Sequence, residues 1–295
     1  MAQDNEHNEQ QRTGSAGDTD STDVKEHAKE PDPHSINHFS SKDPWLELKR
    51  FTRARIALGR VGSSLPTSEI LHFGLSHAQA RDAVHLPLDT DELDASIRAL
   101  GFSTLQVQSK APDRHSYLLR PDLGRRLNDE SKHRLQTVKP PHAIDFMIVV
   151  GDGLSSLAIQ RHAAPLLSEI QKNIPASWNV GPIVIARQAR VALADEVGEI
   201  MGTRMIAILI GERPGLSSPD SLGVYLTYSP SVNCSDADRN CISNIRPEGL
   251  HYPVAAYKLM WLAREAICRK LSGVALKDES DVKEIVNPST AKLHG

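Results

Sequence analysis

The sequence has 295 residues, of which 39% are apolar and 24% are charged, and its formal net charge at pH 7 is −3. This length is enough for one large domain or two small ones with a real core. The near-neutral charge offers no broad basic surface to nucleic acid or to an anionic membrane, so small molecules and other proteins remain as partners.

Two features of the sequence indicate a soluble protein of the cytoplasm. No apolar stretch approaches the roughly 20 residues that span a bilayer, and the first ten residues lack the apolar core of a secretory signal. The cysteines Cys234, Cys241 and Cys268 are seven and twenty-seven residues apart. This spacing matches neither a disulfide framework nor the paired ligands of a zinc site. Cysteines that form neither are expected in a reducing compartment such as the cytosol.

The N-terminal region, residues 1–42, is strongly polar. It contains few large apolar side chains, so their burial could not offset the entropy lost on ordering. We predict a disordered leader. Its role stays open between a solubilising extension and an address or docking peptide.

A mainly helical region is predicted for residues 43–137. Three helix starts are indicated by a capping residue, or a proline at the first helical position, ahead of apolar residues at helical spacing: Asp43-Pro44, Thr67 and Asp89. The signal over 105–119 is weaker and fits a short pair of strands.

Residues 138–278 have the pattern of an α/β domain. Short apolar runs that end at glycine or polar residues predict four strands, with helices between the first three: 144–150, 183–186, 205–210 and 222–228. Strands that are apolar throughout and alternate with helices are typical of a parallel sheet covered on both faces. We therefore predict a Rossmann-like fold, closed by a long helix and followed by a flexible tail over 279–295.

The loop 151–156 follows the first of these strands. In such sheets ligands bind beyond the carboxyl ends of the strands, and this loop combines two glycines with a helix N-terminus, which suits a phosphate. However, Ser156 replaces the third glycine of a dinucleotide fingerprint, and no acidic residue follows the second strand. A nicotinamide cofactor is disfavoured, and a tight turn without a ligand is the alternative.

Two other loops bring polar groups to the same edge. Glu212 and Arg213 follow the third strand, where they are candidates for a ligand site or for an ion pair that only closes the loop. Cys241 lies in the polar run 236–244, which we predict as a loop. A lone cysteine without an activating partner packs more often than it reacts, so a packing role is expected.

Thirteen histidines do not form a recognisable metal site. No H-E-x-x-H segment is present, and His7, His27, His34 and His38 lie in the polar leader. We predict no directly bound metal.

These residues alone leave two functions open. The loop 151–156 favours a stand-alone Rossmann-type enzyme that acts on a nucleotide. The arginine-rich segment 49–60 and the polar leader favour a non-catalytic scaffold subunit.

A set of motifs in one order resembles the small subunit of ethanolamine ammonia-lyase over residues 43–278. The motifs are DPW at 43–45, RPDLGRR at 120–126, DGLS at 152–155, VGEI at 197–200, GERPGL at 211–216, CISNI at 241–245 and SGV at 272–274. Several motifs in a fixed order are more specific than any single glycine-rich loop.

The resemblance implies a subunit of a carbon–nitrogen lyase that converts ethanolamine to acetaldehyde and ammonia by radical chemistry. It implies a hetero-oligomer in which base-on adenosylcobalamin is shared with a large subunit. Because the family's substrate pocket lies in the large subunit, no catalytic residue is expected here. The cofactor-binding positions that the resemblance implies are Val191, Glu212 and Cys241.

Two further expectations come with the family. Binding with a histidine on the cobalt is not expected, because Leu118 replaces the glycine of the D-x-H-x-x-G signature at 113–118. In packaged relatives the enzyme lies inside a bacterial microcompartment, and the leader is a candidate address for it.

Overall fold

The computed structural model describes residues 40–41, 44–52 and 54–281. The helices are α1 (Thr67–His85), α2 (Thr90–Ala99), α3 (Arg114–Leu119), α4 (Asp129–Val138), α5 (Ser156–Asn173), α6 (Leu193–Met201) and α7 (Tyr252–Arg269). The strands are β1 (Ser40–Ser41), β2 (Arg60–Val61), β3 (Thr104–Gln108), β4 (Ile144–Gly151), β5 (Ile183–Arg187), β6 (Thr203–Gly211), β7 (Leu222–Tyr228) and β8 (Arg239–Ile245). Short 3-10 helices cover Pro44–Phe51, Leu123–Arg125, Asp236–Asp238 and Gly273–Ala275. Most of the predicted leader, the capping residue Asp43 and the tail from 282 lie outside the described residues.

The central sheet has six strands in the order β3-β5-β4-β6-β7-β8. Strands β3 to β6 are parallel, whereas β7 and β8 are antiparallel to their neighbours. The prediction of an all-parallel, Rossmann-like sheet was therefore wrong for its fourth strand, β7, and the sheet has a further antiparallel strand, β8, that was not predicted. The connections 212–221 and 229–238 hold ten residues each and no α-helix, and a parallel crossover usually needs a dozen or more residues.

Two local predictions also need correction. Residues 239–245 form the edge strand β8, so Cys241 lies in a strand and not in a loop. Only some of its residues are buried, because one face of an edge strand is exposed, and the continuous apolar run of a central strand is therefore missing. Of the strand pair predicted over 105–119, one strand forms, β3, and the rest includes helix α3.

Helices cover the sheet on both faces. Along β4, Phe146, Ile148 and Val150 pack with α5 and α7, whereas Met147 and Val149 pack with α6 on the other side. The chain leaves β4 towards β5 by way of α5, and leaves β5 towards β6 by way of α6, on the opposite face. The loops after β4 and β5 therefore separate, which leaves a crevice at the carboxyl ends of these strands.

Side-chain caps fix two of the predicted helix starts. The Asp89 carboxylate accepts hydrogen bonds from the amides of Asp91 and Glu92 at 3.1 and 3.0 Å. The Ser155 hydroxyl accepts one from the Ala158 amide at 3.2 Å, so α5 begins at the crevice. In the part of the chain that the structure describes, no helix is long and apolar enough to cross a membrane.

A buried ion pair ties β8 to α6. The Arg239 guanidinium donates to Asp195 Oδ2 from Nε at 3.0 Å and from Nη2 at 2.5 Å, and both side chains are almost fully buried. Burial raises the pKa of the Asp195 carboxyl, and the bonds from Arg239 oppose that rise. Arg239 also contacts the exposed Asp236 at 2.6 Å.

Removing Asp195 is expected to destabilise the fold, because it leaves a buried guanidinium short of its partner. Asp195→Ala should lower the free energy of unfolding in urea by about 3 kcal/mol. The control Glu130→Ala, which removes the exposed partner of Arg134, should cost less than about 1 kcal/mol. Equal losses in the two variants would contradict this assignment.

Candidate functional site

An open cavity of about 460 Å³ lies at the carboxyl ends of β4, β5 and β6. It is lined by Tyr117, Gly153, Leu154, Arg190, Val191, Ile210, Gly211, Glu212, Arg213 and Tyr225. A second cavity of about 410 Å³ shares three of these residues, Arg190, Val191 and Tyr225. Its other walls are Pro121, Arg125, Ala192, Asp236 and Arg239. We call the two cavities together the crevice.

The buried carboxylate of Asp152 joins the elements beneath the crevice. Its oxygens accept hydrogen bonds from the amides of Gln188 at 2.9 Å and Ala189 at 2.8 Å, and Arg114 Nη1 lies 3.3 Å away. Burial raises the pKa of Asp152, and Arg114 and the two amides oppose that rise. The turn after β5, in which Gln188 takes a left-handed conformation, is thereby held against the end of β4.

The ring of Tyr117 lies between two guanidinium groups. Arg114 is 4.8 Å and Arg190 4.3 Å from the ring centroid, a cation–π geometry. Tyr117 is fully buried, its hydroxyl donates to the Ala189 carbonyl at 2.9 Å, and burial raises its pKa. This stack holds Arg190 where it forms a wall of both cavities.

Two glycines let the turn after β4 pack directly on the end of β6. Gly153 has a φ of +57°, and a Cβ there would lie 2.2 Å from the Gly211 carbonyl oxygen. A Cβ on Gly211 would lie 2.0 Å from the Ser155 carbonyl oxygen. Close packing therefore accounts for Gly153, as the tight-turn alternative expects.

Glu212 sits where β6, β7 and β8 meet. Its carboxylate accepts a hydrogen bond from the Ser221 hydroxyl and lies 3.3 Å from the Asn244 amide. Glu212 and Arg213 form no ion pair in the described part of the chain. The alternative of an ion pair that only closes the loop is therefore not observed. The half-buried carboxylate lines the first cavity.

Cys241 faces Tyr225 across the pairing of β7 with β8. Surrounding protein atoms raise the pKa of its thiol, and the Glu212 carboxylate raises it further. A hydrogen bond from Tyr225 opposes the rise. A neutral thiol suits contact with a ligand better than nucleophilic attack.

Two of the three sequence-predicted positions line the crevice, and the third, Cys241, lies behind one of its walls. Val191 lines both cavities, Glu212 lines the first, and Cys241 contacts Tyr225, which lines both. Sequence reasoning missed four residues that shape the site: Arg114, Tyr117, Asp152 and Arg190. Of these, only Asp152 had a local signal, since it directly follows a buried strand between two glycines.

The walls supply mixed chemistry. The guanidinium groups of Arg125, Arg190 and Arg213 can donate hydrogen bonds, Glu212 can accept them, and Val191 offers apolar surface. No group of three or more His, Cys, Asp or Glu side chains able to hold a metal ion occurs within the described ranges. The crevice suits a partly apolar ligand with several polar side groups.

Comparison with known proteins gives a consistent result. Residues 42–277 match the family model described as "Ethanolamine ammonia-lyase light chain (EutC)". The chain is 54% identical over 258 residues to the ethanolamine ammonia-lyase small subunit of Pseudomonas fluorescens, covering 86% of this chain and 94% of the relative. It is 55% identical over 249 residues to the small subunit from Azotobacter vinelandii, covering 83% and 92%.

The electrostatics around Cys241 predict opposite effects of two substitutions. Glu212→Gln removes a negative charge, so the thiol pKa falls and alkylation by iodoacetamide at pH 8 should quicken. Tyr225→Phe removes a bond that favours the thiolate, so alkylation should slow. Peptide mass spectrometry, with Cys234 and Cys268 as internal references, separates the sites. A slower reaction in Glu212→Gln would refute this description.

Proposed function

The chain belongs to the ethanolamine ammonia-lyase light-chain family, and on that premise we propose that its crevice holds base-on adenosylcobalamin together with a large subunit. The observation that carries the proposal is that Val191 and Glu212 line one crevice, with Cys241 in contact with Tyr225 of its wall. Those positions follow from the family resemblance, and their place at the ends of the central strands is where α/β sheets bind ligands.

The crevice fits the chemistry of a cobalamin. A corrin ring presents apolar faces and amide side chains, so its site needs apolar surface, acceptors and donors. Glu212 supplies an acceptor, Arg190 and Arg213 supply donors, and Val191 with Tyr225 supplies apolar contact. The corrin is larger than a cavity of about 460 Å³, so this chain encloses only part of it. A second subunit is needed to cover the rest.

The role of this chain is to hold and orient the cofactor. When bound, adenosylcobalamin supplies the radical chemistry by which ethanolamine is converted to acetaldehyde and ammonia. The Glu212 carboxylate is held by Ser221 and Asn244, so it can accept hydrogen bonds from the cofactor with little reorganisation. The β5–α6 turn, fixed by Asp152, presents Val191 to the ligand. No residue of this chain is assigned to the reacting atoms.

We also propose that the protein works in the cytoplasm, inside a microcompartment where one is made. The three free thiols, Cys234, Cys241 and Cys268, agree with a reducing environment. Residues 1–42 fused to a fluorescent protein should give discrete foci in cells that make microcompartment shells, and diffuse signal in cells without shells. Diffuse signal in both would remove the leader as an address.

Loss of the Glu212 carboxylate is expected to weaken cofactor binding in the complex with the large subunit. Glu212→Ala should raise the dissociation constant for adenosylcobalamin about 10- to 100-fold, because a charged acceptor contributes about 1.5–3 kcal/mol. The titration is followed by cobalamin absorbance, with Glu130→Ala in α4 as the control. Unchanged affinity in Glu212→Ala, or full ammonia release by the large subunit alone, would overturn the proposal.

A further inference from the structure

An apolar surface lies on the N-terminal part of the chain, residues 44–52 and 54–86, which we call the arm. Among the described residues, eleven of the seventeen exposed large apolar side chains lie between 45 and 86, and the other six are spread over 119–274. Those of the arm are Trp45, Leu46, Leu48, Phe51, Val61, Leu65, Ile70, Leu71, Phe73, Leu75 and Leu86. The arm is thus rich in large apolar side chains, as a core is, but these side chains are exposed.

Helix α1 shows this most clearly. It has 19 residues, but only Ala83 is buried. Leu71, Phe73 and Leu75 are 66%, 47% and 57% exposed. Helices of this length gain most of their stability from packing an apolar face. At about 100° per residue, Leu71 and Phe73 lie on nearly opposite sides of the helix, so α1 exposes apolar surface on more than one side.

The arm is one continuous surface. Arg55 Nη2 donates to the His72 carbonyl at 3.2 Å and to the Ser76 hydroxyl at 3.1 Å, and its guanidinium lies 5.0 Å from the Phe73 ring centroid. Lys49 lies 3.6 Å from Glu69. These contacts hold the segment before α1 along the helix, so the two sets of exposed side chains adjoin.

The size of the apolar surface exceeds what a monomer usually exposes. Trp45, Phe51 and Phe73 are 64%, 74% and 47% exposed, which alone amounts to on the order of 400 Å² of aromatic surface. The largest apolar patch of a typical monomer is about 300–600 Å². With eight aliphatic side chains added, the total over all sides of the arm approaches the roughly 800 Å² that a stable interface needs from each partner, and a partner that wraps around the arm could cover it.

The arm is connected to the crevice at two points. Arg114 Nε donates to the Val84 carbonyl near the end of α1 at 2.7 Å, and Nη1 of the same side chain donates to Gly153 at 2.8 Å. The loop that carries Glu212 also reaches the arm, because Leu216 lines a cavity of about 540 Å³ with arm residues. The arm therefore packs directly against elements that form the crevice.

We propose that the arm is the surface on which the large subunit docks. The inference rests on the proposed function, because a cofactor shared across the crevice mouth brings the large subunit to this side of the molecule. The arm also lies within residues 42–277, which the family model covers, as expected of a surface that every small subunit needs. A second copy of this chain is the competing occupant.

The test replaces exposed arm residues by glutamate, which an apolar interface cannot bury without a large cost. Leu71→Glu, Phe73→Glu and the double variant are compared with Val138→Glu. Val138 is also an exposed apolar residue, but it ends α4 at the opposite end of the sheet from the crevice. Each full-length chain is titrated against its purified large subunit by sedimentation, and its own oligomeric state and circular dichroism are recorded.

We expect at least tenfold weaker large-subunit binding in each arm variant, and wild-type affinity in Val138→Glu. Equal affinity in all variants would overturn the docking surface while leaving the proposed function intact. Self-association of the wild type that Leu71→Glu abolishes, with large-subunit binding unchanged, would assign the arm to a second copy. A wild-type chain that does not bind the large subunit at all would defeat both proposals.

Discussion

The crevice depends on one buried carboxylate. Asp152 accepts hydrogen bonds from two successive amides of the turn after β5 and pairs with Arg114 of α3. Arg114 also contacts the Gly153 carbonyl, the Val84 carbonyl and the Tyr117 ring. The Asp152–Arg114 pair therefore links the ends of two central strands to α1 and α3. A buried carboxylate with fixed donors keeps its geometry, so the walls that it positions are set before any ligand arrives.

Much of this fold can be predicted from local pattern. Apolar runs that end at glycine or polar residues located β4 to β7, and capping residues located α2 and α5, because burial and capping act over a few neighbouring residues. The pairing direction of β7 and β8 could not be predicted in this way, and β8 was missed. Its exposed residues, such as Cys241 and Ser243, remove the continuous apolar run by which central strands are recognised.

The same distinction between local signals and long-range contacts applies to the residues of the site. Glu212 had a local signal, since it directly follows an apolar strand, and Val191 and Cys241 came from motifs shared with the family. Arg114 and Tyr117 had none, because their partners Asp152 and Ala189 lie 38 and 72 residues away along the chain. The loop 151–156 shows the opposite error, in which a local motif indicates a ligand site although packing explains one of its glycines. Its glycines resemble a phosphate cradle, but at Gly153 the backbone of β6 occupies the space that a side chain would fill, so close packing explains this glycine without a nucleotide.

The crevice, which is open and polar-rimmed, and the arm, which exposes apolar side chains, are linked through Arg114. The central claim is that the crevice contacts adenosylcobalamin in the complex with the large subunit. Hydrogen exchange of that complex, with and without adenosylcobalamin, measured by mass spectrometry, tests it most directly. The account predicts that the cofactor slows exchange of the amides in 187–193 and 211–218 and leaves those in 67–78 unchanged. Unaltered exchange in both loops, with protection elsewhere on this chain, would contradict it.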